Sequence, residues 1–201
     1  LIDNSWNVMF TTREYLEKRT GPYGIGRFSF LQSLVTEFQE STNAEAKEQV
    51  LANLANFAYD PINYEHFQTL NILDLFLDCL SEPSEILVEY AIGGLCNCVL
   101  DKANKKYVLE NNGVNLVISC LSKDGIETVL SAVTTLMYLV TPESKKEITS
   151  PAVIDAMLTL AQSSDTRVSN VATVFLQDYC SKKQIEEVKQ AIDEEKYDLF
   201  D

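Results

Sequence analysis

The chain repeats its own sequence at a step of 41 residues. Asp60 recurs as Asp101, and Cys79-Leu80-Ser81 recurs as Cys120-Leu121-Ser122. Further pairs at this step are Leu54 and Leu95, Asn56 and Asn97, Asn63 and Asn104, Val88 and Val129, Ala91 and Ala132, and Leu95 and Leu136. A period near forty is typical of a solenoid unit made of two or three helices. One such unit cannot bury its apolar face alone, so the chain is predicted to stack copies of it.

The positions of apolar residues and helix breakers divide the chain into four units with two flanks. Apolar residues recur with the helical period, and Asp60-Pro61, Pro83 and Thr141-Pro142 interrupt them. The predicted units are residues 26–60, 61–101, 102–142 and 143–181. Residues 1–25 are predicted to be an N-terminal extension. Residues 182–201 are predicted to be an acidic C-terminal tail, with a last helix over about 184–191 and a frayed end over 192–201.

Two adjacent glycines lie inside the predicted third helix of the second unit. Gly93 and Gly94 each cost a helix about 1 kcal/mol relative to alanine. A cost of this kind indicates close approach by another element. We expect tight stacking on the next repeat at this point.

The charge of the chain bears on the kind of partner it can have. The formal net charge is −14, which disfavours an unaided nucleic-acid binder because phosphates would be repelled over most of the surface. A basic protein partner is the natural complement. The alternative interpretation is that the acidity only keeps the chain in solution.

Cysteine usage and hydropathy indicate a compartment. The five cysteines lie in apolar helical runs without a disulfide pattern, which is typical of a reducing compartment, the cytosol or the nucleus. No apolar stretch approaches the 18 or so residues of a membrane span, so no membrane association is predicted. The first residues do not resemble a secretory signal, and Met9 is a candidate native start.

The sequence offers little to catalysis. His66 is the single histidine and lies on a short polar segment, so no nucleophile can be assigned a base. Cys/His clusters with metal-ligand spacing are absent from the sequence. The glycine-rich segment 21–26 lacks the flanking strand and the Lys-Ser/Thr of a phosphate-binding loop. We predict a non-enzymatic protein without catalytic residues, cofactor or metal.

The third helix of each unit is the best candidate for a binding face. Residues four and seven or eight apart share one side of a helix. Asparagine amides on such a face can donate to and accept from an extended peptide backbone, although they could instead bond only to backbone within the stack. The predicted partner-binding residues are Glu48, Gln49, Asn53 and Asn56 in the first unit, Glu89, Tyr90 and Asn97 in the second, Thr134 and Tyr138 in the third, and Asp178 in the last.

Several segments resemble a known family. They are residues 51–56 (LANLAN), 93–97 (GGLCN) and 112–121 (NGVNLVISCL), within longer matching runs over 30–61 and 73–97. Over about residues 26–184 the chain resembles the armadillo repeat-containing protein 7 family. The resemblance implies an all-α, right-handed armadillo-type solenoid of about four repeats.

The resemblance also implies a function. The family is associated with the minor (U12-type) spliceosome, beside a partner that contains an RNA-recognition motif and near the capped end of a small nuclear RNA. The implied protein is a nuclear scaffold in pre-mRNA splicing, a monomer within a hetero-complex. Its RNA contact would be mostly indirect, which agrees with the acidic composition.

Two other functions remain open. One is a peptide-binding adaptor for nuclear transport or adhesion that takes basic or extended segments in its groove. Armadillo import receptors place tryptophan four residues before the groove asparagine, whereas this chain has Ala52, Gly93, Thr134 and Val174 there, and its one tryptophan, Trp6, lies outside the repeats. Nuclear import is therefore disfavoured. The other is a subunit of an enzyme, which the single histidine disfavours.

Overall fold

The computed structural model describes the backbone of residues 10–198 and the side chains of residues 10–194. Within that range the chain is helical and has no strand. The first and second helices of the repeats, together with the flanking helices, are α1 (Arg13–Thr20), α2 (Arg27–Glu40), α4 (Tyr64–Thr69), α5 (Ile72–Cys79), α7 (Lys102–Glu110), α8 (Gly113–Ser119), α10 (Lys145–Ile148), α11 (Pro151–Leu160) and α13 (Lys182–Asp198). The third helices are α3 (Ala44–Phe57), α6 (Glu85–Cys98), α9 (Ile126–Leu139) and α12 (Thr166–Tyr179).

The third helices confirm the period read from the sequence. Each has 14 residues, and they begin at residues 44, 85, 126 and 166, at steps of 41, 41 and 40. They pack side by side, α3 on α6, α6 on α9 and α9 on α12. One continuous core runs through the stack, from Leu31 in α2 to Val188 in α13. Stacking thus buries the apolar face that a single repeat would expose.

Side-chain caps fix where the third helices begin. Asn43 accepts from the backbone N–H groups of Glu45 and Ala46, and Asp165 does the same for the first turn of α12. Ser84 caps α6 by accepting from the N–H of Leu87. Such caps satisfy N–H groups that have no partner within the helix. Helices α3, α6 and α12 therefore begin at a side-chain cap, whereas α9 follows Gly125, which has no capping side chain.

Buried asparagines join each third helix to the repeat that follows. The amide of Asn63 donates to the carbonyl of Phe57 at 2.8 Å, and the amide of Asn104 donates to the carbonyl of Cys98 at 3.2 Å. In the last repeat the hydroxyl of Ser144 takes this role and donates to the carbonyl of Leu139 at 2.8 Å. These bonds satisfy carbonyls at helix C-termini. The recurrence of Asn63 as Asn104 therefore has a structural cause.

The two adjacent glycines of α6 have different surroundings. A Cβ on Gly94 would lie 2.5 Å from the ring of Phe76, whereas a Cβ on Gly93 would have nothing within 4 Å. Phe76 belongs to α5 of the same repeat. The expectation that both glycines mark tight stacking on the next repeat is wrong, because Gly94 makes room for its own repeat's second helix and Gly93 faces open space.

The two flanks differ in how they pack. Helix α1 has no buried residue, and the preceding segment is joined to the first repeat by a hydrogen bond from the N–H of Thr11 to Asp60 at 3.1 Å. At the other end, α13 contains the predicted last helix and continues into the segment predicted to be frayed. Its residues Ile185, Val188 and Ile192 form an apolar stripe that packs against the core. The predictions about Trp6, Met9 and the last three residues lie outside the described range.

No helix within residues 10–198 is both long enough and apolar enough to cross a bilayer.

Candidate protein-interaction surface

One face of the third-helix layer is left open by the packing. Its residues recur at spacings of three and four, so they share one side of each helix, and all of them are exposed or half-buried. We call this face the inner wall. It consists of Glu45, Gln49, Ala52 and Asn56 on α3, Ile86, Tyr90, Gly93 and Asn97 on α6, Glu127, Ser131, Thr134 and Tyr138 on α9, and Arg167, Val171, Val174 and Asp178 on α12.

The inner wall brings together most of the residues predicted to bind a partner. Gln49, Tyr90 and Thr134 lie on it, in three successive third helices. Asn56, Asn97, Tyr138 and Asp178 form one row across the four helices, near their C-terminal ends. The predicted binding set lacked the whole row of Glu45, Ile86, Glu127 and Arg167, two members of the Gln49 row, Ser131 and Val171, and the positions Ala52, Gly93 and Val174. Adding the repeat step to Gln49 would have identified Ser131 and Val171, whereas the Glu45 row lies one helical turn before any residue predicted in the first unit.

The two asparagines of this row differ from the buried asparagines of the stack. Asn56 is exposed and Asn97 is half-buried. Among the described residues neither amide group has a hydrogen-bond partner, and Asn97 is contacted through its backbone carbonyl, which accepts from the hydroxyl of Tyr64 at 2.9 Å. Both amides are therefore available to donate to and accept from a ligand.

The carboxylates of Glu48 and Glu89 lie at the edge of the inner wall, between repeats. Glu48 accepts from the hydroxyl of Ser84, the N-cap of α6, at 3.3 Å. Glu89 is placed in the same way, 3.8 Å from where a Cβ would stand on Gly125, the N-cap of α9. A carboxylate beside a helix N-terminus is stabilised by the helix dipole. Glu48 therefore joins its helix to the next repeat, and both carboxylates make this part of the surface negative.

Asn53 does not belong to the inner wall. Its equivalents on the next three third helices, Gly94, Thr135 and Phe175, are all buried. Gly94 faces Phe76 in the second helix of its repeat, so this row points toward the second-helix layer. Asn53 was grouped with the binding face because it is adjacent to Ala52 in sequence, but one residue turns the helix by about 100°.

The inner wall has a different character on α9 and α12. Tyr138 and Val174 are 42% and 41% exposed. Glu127 is paired with Arg167 of the next helix at 2.7 Å, and Arg167 also contacts Asp165 at 3.2 Å. This end of the wall therefore carries two exposed apolar side chains and one ion pair, and Asp178 is an exposed carboxylate outside that pair.

Burial raises the pKa of several groups beneath the surface. Burial raises the pKa of Tyr64 to about 12, so its hydroxyl stays protonated and continues to donate to Asn97. Burial also raises the pKa of the Cys79, Cys98 and Cys120 thiols, so these residues are poor nucleophiles. Within the described residues no three His, Cys, Asp or Glu side chains are placed to hold a metal ion.

The chain is similar to a protein from mouse. It is 57% identical over 165 residues to armadillo repeat-containing protein 7 of Mus musculus, and the match covers 81% of this chain and 83% of the relative. No protein-family model matches the chain.

Solved structures with low sequence identity share the fold. A designed armadillo repeat protein in complex with the peptide (KR)4 has a TM-score of 0.68 at 17% identity, over 80% of this chain and 71% of the other. Computationally designed armadillo repeat proteins for modular peptide recognition give 0.66 at 16% identity, over 81% and 71%. The armadillo repeats only protein of Plasmodium falciparum gives 0.65 at 15% identity, over 76% and 69%. The predicted all-α armadillo-type fold is confirmed.

Proposed function

Because the chain belongs to the armadillo repeat-containing protein 7 family, we propose that it is a non-enzymatic protein-interaction scaffold whose inner wall holds a partner protein. The partner is a protein with an RNA-recognition motif, and the two act in the nucleus, in pre-mRNA splicing by the minor spliceosome. The splicing role rests on the resemblance to the family. The binding role is also supported by the structure of the wall.

The observation that carries the binding role is the pair of free amides at Asn56 and Asn97. They lie one repeat apart at equivalent positions, without partners among the described residues. Each can form two hydrogen bonds with a peptide backbone, and each bond contributes about 0.5–1.5 kcal/mol net. The net charge of −14 supports a division of labour in which the partner makes most of the contact with RNA.

A second candidate is a peptide-binding adaptor for basic or extended segments. The acidic residues on α3 and α6 favour it, as does the likeness in fold to a designed armadillo protein that binds (KR)4. The positions where armadillo import receptors carry tryptophan are occupied by Ala52, Gly93, Thr134 and Val174. The wall therefore lacks the aromatic surfaces that would hold lysine stems, which disfavours nuclear import.

Binding of the purified chain to a purified RNA-recognition-motif partner tests the proposal. In the double variant Glu89→Lys, Asn97→Ala we expect the dissociation constant, measured by calorimetry, to rise at least about tenfold, which corresponds to about 1.4 kcal/mol. The circular dichroism melting curve should shift only slightly, because both side chains are half-buried and a reversed charge near the N-terminus of α9 costs about 0.3–1 kcal/mol.

Glu147→Lys is the matched control, since it reverses an exposed charge on α10, away from the wall. It should leave the affinity within about twofold, because exposed charges contribute little beyond their contacts. Unchanged binding by the double variant would show that the partner uses another surface.

A further inference from the structure

The inner wall has two halves of different chemistry. On α3 and α6 the open positions and their edge carry the carboxylates Glu45, Glu48 and Glu89 beside the free amides. The one cation of these two helices, Lys47, is turned toward the ring of Phe38 at 5.2 Å. This half is therefore negative, and its charges are not paired with side-chain cations.

The half on α9 and α12 is less charged and more apolar. Tyr138 and Val174 are large apolar side chains that remain 42% and 41% exposed, and the half-buried Val171 lies one turn before Val174 on α12. Asp178 is an exposed carboxylate of this half that is not paired with a cation among residues 10–194. The charges of Glu127 and Arg167 are paired with each other at 2.7 Å. An exposed apolar surface beside a charged one is typical of a protein-binding site.

We infer that the segment held by the inner wall is bipartite: a basic stretch lies on α3 and α6, and one or two large apolar side chains lie on Tyr138 and Val174 of α9 and α12. This inference rests on the proposed function and states the chemistry of the partner segment. A purely basic segment would leave the apolar half exposed to water, and a purely apolar one would leave the carboxylates without a counter-charge.

The size of the wall sets the length of the segment. Packed helices lie about 8–10 Å apart, so four third helices span about 30 Å. An extended chain rises about 3.3 Å per residue. About nine or ten residues therefore cover the wall, with the apolar side chains about five to eight residues from the first basic one.

Synthetic peptides can separate the two halves. The probes are a fluorescein-labelled peptide of six alternating Lys and Arg residues, and the same peptide with a short linker and two leucines added at either end. Binding to the full 201-residue chain is followed by fluorescence anisotropy. We expect one of the extended peptides to bind at least about tenfold more tightly than the basic peptide, because burial of a large apolar side chain contributes that much or more.

Variants of the apolar half should remove this gain. In the double variant Tyr138→Ala, Val174→Ala, the tighter of the two extended peptides should lose most of its advantage over the basic peptide. The ratio of these two affinities should fall from at least about tenfold to about twofold or less. Ile126→Ala is the matched control, since Ile126 is an apolar side chain on α9 that is 43% exposed and lies off the wall. It should leave the ratio unchanged.

Two results would overturn the inference. One is equal binding of all three peptides, and the other is a gain that survives in the Tyr138, Val174 variant. Failure of every peptide to bind would also overturn it. The proposed function is tested separately, because the folded partner can still depend on Asn97 when no short peptide binds.

Discussion

Helices α9 and α12 are the third helices of the third and the last repeat. They have the same length but carry residues of opposite polarity on one equivalent stripe. Helices α9 and α12 both have 14 residues and pack against each other. On α9 the stripe Val129, Val133 and Met137 is apolar, with Val133 fully buried. The equivalent stripe on α12 is Ser169, Thr173 and Gln177, and it is half-buried to exposed.

The difference shows that coverage by the next helix decides which residues a third helix can carry. No third helix follows α12 among residues 10–198, so its stripe meets solvent. The hydroxyl of Ser169 donates to the carbonyl of Ala161, and that of Thr173 donates to the carbonyl of Ser169, both at 2.7 Å. The hydroxyl groups of both side chains therefore have hydrogen-bond partners without a further third helix packed against α12. A polar outer face is what a terminal repeat of a solenoid requires.

An aspartate placed on each of the two stripes should give the largest difference in the free energy of unfolding. Val133→Asp would bury an unpaired carboxylate at a position with 0% exposure, which costs about 3–5 kcal/mol. Thr173→Asp places the carboxylate at a half-buried position on the open side of α12 and should cost less than about 1 kcal/mol. Urea denaturation followed by circular dichroism gives both free energies of unfolding.

Thr173→Val completes this comparison. It should change the free energy of unfolding by less than about 0.5 kcal/mol, as other surface substitutions do. If Thr173→Asp destabilised the protein as much as Val133→Asp, the α12 stripe would be covered, and the last repeat would not act as a cap.

One leucine recurs at the same position in all four third helices. Its truncation should give a smaller difference in stability between α6 and α12. Leu95 in α6 has 0% exposure and Leu176 in α12 has 8%. Leu95→Ala should cost about 2–5 kcal/mol, because the truncated methyl groups leave a cavity between neighbours on both sides. Leu176→Ala should cost less, toward the lower end of that range, because the open side of α12 allows the site to relax.

The melting temperatures of the two leucine variants check this order. Substitution of Ile86, which is 48% exposed, by alanine is the control, and it should leave the melting temperature nearly unchanged. A Leu95→Ala variant that melts at the wild-type temperature would show that Leu95 is not part of the core.

The period of the sequence was enough to predict a stacked helical solenoid, and the resemblance to a known family added the armadillo type. Equal spacing of Leu54, Leu95 and Leu136 requires equivalent burial, and all three have 0% exposure. The same spacing placed Asn56 and Asn97 in one row of the inner wall. Repeats transfer well from sequence to structure because each copy must meet its neighbours in the same way.

Features that depend on which neighbour is present could not be predicted in this way. Asn53 looks equivalent to a binding residue, but its row faces the second-helix layer. The stripe of Ile185, Val188 and Ile192 is weak in sequence, and only its contact with the core distinguishes a packed helix from a tail. The pairing of Arg167 with Glu127 joins residues 40 positions apart, across two repeats.

The adjacent glycines of α6 provide one covered and one open position within a single helix. Gly94→Ala would place a methyl group 2.5 Å from the ring of Phe76, which is itself fully buried. We expect a loss of about 1–3 kcal/mol from overpacking.

Gly93→Ala meets nothing within 4 Å and should instead stabilise the helix by up to about 1 kcal/mol, because alanine loses less backbone entropy than glycine. Denaturant midpoints of the two variants should therefore move in opposite directions. Stabilisation of both variants would mean that helix propensity, rather than coverage by a neighbouring element, sets the cost at these positions, and destabilisation of both would mean that Gly93 is covered as well.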